Sequence, residues 1–281
     1  MQLKDFNYHL PPELIATHPT AKRDQSRLLV LDKATGAIEH KHFFDLIDYL
    51  KTGDLLVANN SKVIPARLLG KKSTGGVVEV FLSKNLGKNW ECLIKGRVKA
   101  GVKIILSKKL NAEIVEVVGE GISLVKFNLT SAEFMKEVEV IGHTPLPPYI
   151  IKKRSQAELT SDKKNYQTVY AENLKKGSVA VPTAGLHFTP GLIKKIKAKG
   201  VGVEYLTLHV GLGTFLPVKT EKIEEYKIHS EYAEVSAELI KKIIETKKRG
   251  GRIIAVGTTT TRTLEFVFKN LDIKNCLKIK N

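Results

Sequence analysis

Between residues 77 and 127 the chain breaks into short apolar segments separated by turn residues, and this pattern limits what it can fold into. The segments are 77–81, 90–94, 102–106, 112–118 and 124–127. Ser73-Thr74-Gly75-Gly76, Leu86-Gly87-Lys88-Asn89, Lys99-Ala100-Gly101 and Gly119-Glu120-Gly121 punctuate them. Short strands at such spacing form a small barrel or a sandwich. Glu113, Glu116 and Lys126 interrupt the apolar residues and mark an exposed face.

The flanks read differently. Residues 26–32 and 54–58 are apolar runs of strand length, with a short helix predicted over 43–50 between them. After the stiff connector Thr144-Pro145-Leu146-Pro147-Pro148-Tyr149-Ile150 and a polar stretch, strands are predicted at 179–181, 205–210 and 253–256. Helices are predicted at 189–199, with Thr189 as N-cap, Pro190 in its first turn and Gly200 as its stop, and at 236–248. The expectation is a mixed α/β main domain made of residues 1–60 and 151–281, interrupted at 61–150 by a small antiparallel β-barrel.

Lys and Arg number 46 against 29 acidic residues, a formal net charge of +17. Such a field attracts polyanions, although a lysine-rich surface alone does not separate RNA from DNA or anionic lipid. The two cysteines, Cys92 and Cys276, have no metal-type spacing and are expected as reduced thiols. No apolar run approaches the roughly 20 residues of a membrane span, and the polar start with Asp5 does not read as a signal peptide.

Four clusters join polar side chains to glycine or proline near strand ends, where α/β proteins place ligands. Asn59-Asn60-Ser61, leading to Arg67, is the first. Tyr166-Gln167-Thr168, with Thr183-Ala184-Gly185-Leu186-His187, is the second. The third, His209-Val210-Gly211-Leu212-Gly213-Thr214, lacks the last glycine of a dinucleotide fingerprint. The fourth joins His229-Ser230-Glu231 to Gly257-Thr258-Thr259-Thr260-Thr261-Arg262, where hydroxyls and a helix start would bind an anion. Each also has a purely structural reading, as a polar turn, a helix cap or a satisfied histidine. The histidines match no zinc spacing, and no metal is expected.

Longer strings at these positions resemble the S-adenosylmethionine:tRNA ribosyltransferase-isomerase family of queuosine biosynthesis. They include Arg23-Asp24-x-Ser26-Arg27-Leu28-Leu29, Val63-Ile64-Pro65-Ala66-Arg67-Leu68, Pro145-Leu146-Pro147-Pro148-Tyr149-Ile150 and Tyr166-Gln167-Thr168-Val169-Tyr170-Ala171. Pro182-Thr183-Ala184-Gly185-Leu186-His187-Phe188-Thr189, Thr207-Leu208-His209-Val210-Gly211-Leu212-Gly213-Thr214-Phe215 and Val256-Gly257-Thr258-Thr259 follow in family order. The resemblance implies a barrel inserted in an α/β domain. It also implies transfer of the ribosyl part of S-adenosylmethionine to 7-aminomethyl-7-deazaguanine in a tRNA anticodon. Epoxyqueuosine forms, and adenine and methionine leave.

That chemistry needs a base to take the proton beside the sulfonium, an acid to help adenine depart, and polar groups to hold the opening sugar. On this reading His209 and His187 are the first candidates for proton transfer, with His229 and Glu231 behind them. Tyr166, Gln167, Thr183 and Gly185 would hold adenosine or the deazaguanine. Thr258, Thr259 and Arg262 would hold the methionyl carboxylate or a phosphate. Arg67, Gly211, Gly213 and Thr214 complete the expected substrate contacts. Lys71-Lys72, Lys108-Lys109 and Lys152-Lys153-Arg154 are the expected tRNA-backbone contacts. S-adenosylmethionine is a co-substrate with no prosthetic group beside it, and the chain is expected in the cytoplasm as a monomer. Family members carry a later Asn-Phe-His-Leu-Pro-like motif, whereas here the resemblance fades after Glu265-Phe266. A truncated, catalytically inactive tRNA-binding member is therefore the alternative. A methyltransferase using the same co-substrate is a third class.

Overall fold

After three short 3₁₀ turns, the first strands of the chain form a hairpin, in which β1 (Arg27–Leu31) runs antiparallel to β2 (Ile38–His42). Its turn is held by Asp32, whose Oδ1 accepts the Ala34 and Thr35 amides at 2.9 and 2.8 Å. Every residue of β2 is exposed, so it has no apolar run to betray it in sequence. The helix expected over 43–50 is a 3₁₀ helix, Phe43–Tyr49. The computed structural model describes residues 1–119, 121–151, 162–215, 217–218, 220–226 and 228–270. Lys152, Lys153, Arg154 and Cys276 lie outside them.

β3 (Leu55–Asn59) is buried at every position. A second short strand, β4 (Lys62–Val63), follows it and leads into the barrel. β5 (Arg67–Lys72), β6 (Val77–Asn85), β7 (Trp90–Lys95), β8 (Lys103–Ile105), β9 (Asn111–Gly119) and β10 (Ile122–Phe127) close in the order β10-β7-β6-β5-β8-β9. Closure settles the choice between barrel and sandwich, and it depends on β5, which sequence analysis does not read as a strand. The second half of β5 is Gly70-Lys71-Lys72, with little apolar character. Gly70 allows β5 to approach β8 closely, since a Cβ there would stand 2.8 Å from Ile105 O and Ile104 Cγ2. Leu68, Val80, Leu82, Cys92, Ile104, Ile114 and Val125 fill the interior, while Glu113, Glu116 and Lys126 face out. Burial pushes the Cys92 thiol up, so it stays protonated as a small apolar filler. Helix α1 (Ser131–Ile141) packs Phe134 and Val138 into this core, with the Phe134 ring 4.4 Å from Phe127 and 5.3 Å from Trp90.

The chain enters and leaves the barrel side by side. The Arg67 and His143 backbones exchange hydrogen bonds of 3.3 and 2.8 Å. Gly142 sits where a Cβ would meet Pro65 O at 2.1 Å, so no side chain fits between the two passes.

In the main domain β11 (Lys176–Ser178) pairs parallel with β4. The expected strand at 179–181 is thus displaced: ladder pairing stops at Ser178, and Val179 instead donates to Val210 O at 2.8 Å. Helix α2 (Pro190–Ala198) starts as its sequence signals, with Thr189 Oγ1 accepting the Leu192 amide at 3.1 Å. β12 (Gly202–Leu208), β13 (Ala233–Glu234), helix α3 (Ala237–Lys248), β14 (Ile253–Ala255) and helix α4 (Gly257–Asn270) follow. The sheet order is β13-β12-β3-β14, with β3 parallel to both β12 and β14. Because side chains alternate along a strand, Leu55 and Val57 meet α3 and α4 through Leu239, Ile243 and Leu264. Leu56 and Ala58 meet α2 on the opposite face through Leu192 and Ile196. Burying each such side chain contributes about 1.5–3 kcal/mol. Among the described residues no helix is long and apolar enough to cross a membrane.

Candidate active site

The C-terminal ends of β3, β12 and β14 point toward the barrel, and two cavities open there with Val210 in the wall of each. The first, about 730 Å³, lies between barrel and main domain. Its barrel wall includes Ser83, Asn85, Trp90 and Glu91. Its other wall includes Lys176, Gly177, His209, Gly211, Gly213, His229, Glu231 and Tyr232. The second, about 690 Å³, is lined by Tyr166, Thr183, Ala184, Thr214, Phe215, Thr258 and Thr259 among others.

The loop after β12 is held by a buried polar network. Asn59 Nδ2 donates to Leu208 O at 2.9 Å, and its Oδ1 accepts the Leu208 and Ser61 amides at 3.1 and 3.0 Å. Ser178 Oγ donates to Ser61 Oγ at 2.7 Å and accepts the Val210 amide at 3.0 Å. Asn60 Oδ1 accepts the Thr207 hydroxyl at 2.7 Å. Fully satisfied networks of this kind fix one geometry. Asn59, Asn60 and Ser61 therefore act on the site by holding the backbone on which His209 stands, and none of them lines either cavity.

The His209 ring stacks on Tyr232, with centroids 5.7 Å apart, and Gly177 lies close against it. A Cβ on Gly177 would come within 2.8 Å of His209 Nδ1. That nitrogen is buried and has no hydrogen-bond partner among the described residues. Burial lowers the His209 pKa below its usual value, against the pull of the Glu234 carboxylate, and Lys175 lowers it further. Lys175 and the Tyr232 hydroxyl both donate to Glu234, which holds that carboxylate below its ordinary range.

Glu231 ties three segments together. Its Oε1 accepts the Gly211 amide at 2.8 Å, and its carboxylate pairs with the Arg262 guanidinium from α4. His229 packs on Gly213, where a Cβ would stand 3.0 Å from His229 Cδ2. In the second cavity, Thr258 and Thr259 sit in the first turn of α4, and Thr259 Oγ1 is buried with no hydrogen-bond partner among the described residues. A helix start with a hydroxyl in reach suits an anion.

The remaining candidates stand elsewhere. His187 lines neither cavity; its ring lies 5.1 Å from Phe43, and burial lowers its pKa. Gln167 spends its amide on Val63, accepting from the Val63 amide at 3.1 Å and donating to its carbonyl at 2.7 Å. Arg67 Nε donates to Glu79 at 2.8 Å on the barrel wall. Gly185 is buried under the Tyr170 hydroxyl, where a Cβ would stand 2.1 Å away. Lys71 and Lys72 are on β5, near the end of the barrel away from the cavities. Sequence reasoning misses Trp90, Glu91, Lys176 and Tyr232, whose strand-end and loop positions carry no local motif.

The queuosine biosynthesis protein family matches residues 3–278, so the match runs on past Phe266, where the sequence resemblance fades. A relative from Acetivibrio thermocellus, named S-adenosylmethionine:tRNA ribosyltransferase-isomerase, is 50% identical over 272 residues, covering 95% of this chain and 77% of the relative. Among solved structures, the crystal structure of S-adenosylmethionine tRNA ribosyltransferase from Thermotoga maritima shares 35% sequence identity and a TM-score of 0.45, covering 95% of this chain and 74% of that one.

Proposed function

Because this chain belongs to the queuosine biosynthesis protein family, we propose that it acts, like the relative from Acetivibrio thermocellus by its name, as an S-adenosylmethionine:tRNA ribosyltransferase-isomerase. It transfers the ribosyl part of S-adenosylmethionine to the aminomethyl nitrogen of 7-aminomethyl-7-deazaguanine in a tRNA anticodon, in the cytoplasm, and releases adenine and methionine. The observation that carries this reading is the juxtaposition of the two cavities, with His209 Nδ1, which has no partner among the described residues, next to their shared wall.

The second cavity takes S-adenosylmethionine. The methionyl carboxylate lies against the first turn of α4 and the Thr259 hydroxyl, and Thr183 and Tyr166 flank the adenosine. The first cavity takes the modified base, splayed out of the anticodon loop so that its aminomethyl group meets the ribose near Val210. His209 is the base for the proton beside the sulfonium. A lowered pKa keeps its imidazole neutral at physiological pH, the form able to accept a proton. Glu231 and Arg262 hold the Gly211 turn, and His229, in the wall of the first cavity, is the second candidate for proton transfer, at the aminomethyl nitrogen of the incoming base. Lys71, Lys72 and the cluster Lys152, Lys153 and Arg154 contact the tRNA backbone.

The test is adenine release from S-adenosylmethionine with purified chain and tRNA carrying 7-aminomethyl-7-deazaguanine. Release that depends on the tRNA is expected. Formation of S-adenosylhomocysteine would point to a methyltransferase, and tRNA binding without adenine release to an inactive member of the family.

A further inference from the structure

A groove of about 610 Å³ lies at the end of the barrel remote from the two cavities, between the β5–β6 turn and the segment joining β7 to β8. Lys72, Arg97, Lys99 and Lys103 line it together with Ser73 and Thr74, and among the described residues no carboxylate does. It is built rather than accidental. Lys72 Nζ donates to Arg97 O at 3.1 Å, and the Ser73 amide donates to Lys103 O at 3.3 Å, which fixes the two rims against each other. Arg97, Lys99 and Lys103 are exposed, so their cationic groups face water.

The barrel sets where this groove lies relative to the cavity. In the β6–β7 pair, Asn85 stands opposite Trp90 at the cavity end, and Glu79 opposite Lys95 toward the groove end. β6 spans nine residues, so the groove is roughly 26 Å from the cavity mouth measured along the strand, at about 3.3 Å per residue. An anticodon base that enters the cavity belongs to a loop closing a paired stem, and the phosphates of that stem continue away from the entry point. Cations and hydroxyls held at one fixed offset from a base pocket suit a phosphodiester backbone.

We propose that this barrel-end groove docks the phosphate backbone of the tRNA substrate while the modified base occupies the cavity between barrel and main domain; this rests on the functional reading above. The groove supplies affinity and register through Arg97, Lys99 and Lys103, and it takes no part in the chemistry.

The experiment compares wild type with the triple variant Arg97→Ala, Lys99→Ala, Lys103→Ala. Removing these side chains leaves the Arg97 carbonyl that Lys72 engages. A control removes three exposed lysines of α2 instead, as Lys194→Ala, Lys195→Ala, Lys197→Ala. Binding of tRNA is measured across salt concentrations, without turnover. The groove variant is expected to lose about two units of slope in log affinity against log salt, since each lost phosphate contact removes about 0.7–0.9. Its KM for tRNA rises at least tenfold, while its KM for S-adenosylmethionine and its kcat at saturating tRNA stay at wild-type values. A charge-preserving variant, Arg97→Lys, Lys99→Arg, Lys103→Arg, keeps the wild-type slope. An unchanged slope in the groove variant, or an equal loss in the α2 control, overturns the proposal. Failure of the wild type to release adenine would count against the functional reading alone, because the salt slope is read from binding.

Discussion

The Arg262 guanidinium is ion-paired with the Glu231 carboxylate, which also accepts the Gly211 amide at 2.8 Å. One nearly buried carboxylate thus joins the second turn of α4, the segment before β13 and the turn after β12. Glu231→Gln weakens both contacts and is expected to lower kcat/KM about 10- to 100-fold. In a double-mutant cycle with Arg262→Met, the two residues are expected to couple by about 1–2 kcal/mol in transition-state free energy. Strictly additive effects would remove the pair from any role in shaping the site.

A second latch closes the sheet at its other end. Arg252 Nη2 donates to Asp54 Oδ2 at 2.6 Å, and the Lys51 amide donates to the same oxygen at 2.7 Å. The Arg252 hydrogen bond is the main cause that holds Asp54 down at about 2, below the ordinary carboxylate value of about 3.9. A depressed folded-state pKa contributes stability that is fully present above the unfolded value and is lost as pH falls through the folded one. The contribution therefore disappears between about pH 4 and pH 2. Asp54→Asn is expected to cost about 2 kcal/mol at pH 7 and to flatten that part of the acid limb, as read by Tm across pH.

His209→Gln is expected to reduce turnover by a factor of about 10² or more, with Tm close to wild type. In the wild-type enzyme, the acid-side fall of kcat/KM is expected below the ordinary imidazole value of about 6.5, because burial lowers the His209 pKa. Near-normal turnover in the variant would exclude His209 as the base.

Gly177 has φ +156° and no room beside the His209 ring. Gly177→Ala would press on Nδ1 and displace the imidazole from its stack on Tyr232. The expected outcome is a fall in kcat with the KM for tRNA unchanged. Equal loss in Gly177→Ala and in Gly177→Ala/His209→Gln relative to their parents would show that the glycine acts on something other than this histidine.

How much of this was legible in the sequence depends on how local each signal is. The start of α2 could be read because Thr189 and Pro190 cap it within a few residues. α3 was legible to within a residue of its start, although Ser236, expected as its first residue, is its N-cap, with Oγ accepting the Leu239 amide at 3.1 Å. β2 and β5 were not, since one is wholly exposed and the other is half glycine and lysine. The candidate site was legible as four separate clusters. Which of them meet is decided by the sheet order β13-β12-β3-β14, which no local pattern encodes. That order brings the loop after β12 beside His229, Glu231 and Arg262 and leaves His187 against Phe43. Trp90 and Glu91 reach the cavity only because the barrel closes and turns the Asn85–Trp90 end of its β6–β7 pair toward the main domain.

The place of the barrel within the chain has a consequence for biogenesis. β3 is completed at Asn59, but its two neighbours come from residues 202–208 and 253–255. All barrel strands, residues 67–127, leave the ribosome in between. At about 5–20 residues per second, the nascent chain carries β3, a strand buried at every position of the finished fold, with both edges unpaired for on the order of ten seconds. The barrel, with its mostly short-range pairings, can close during that interval. The main sheet has to wait, and during that wait β3 is the segment of this protein most exposed to chaperone capture or to misassociation with another nascent chain.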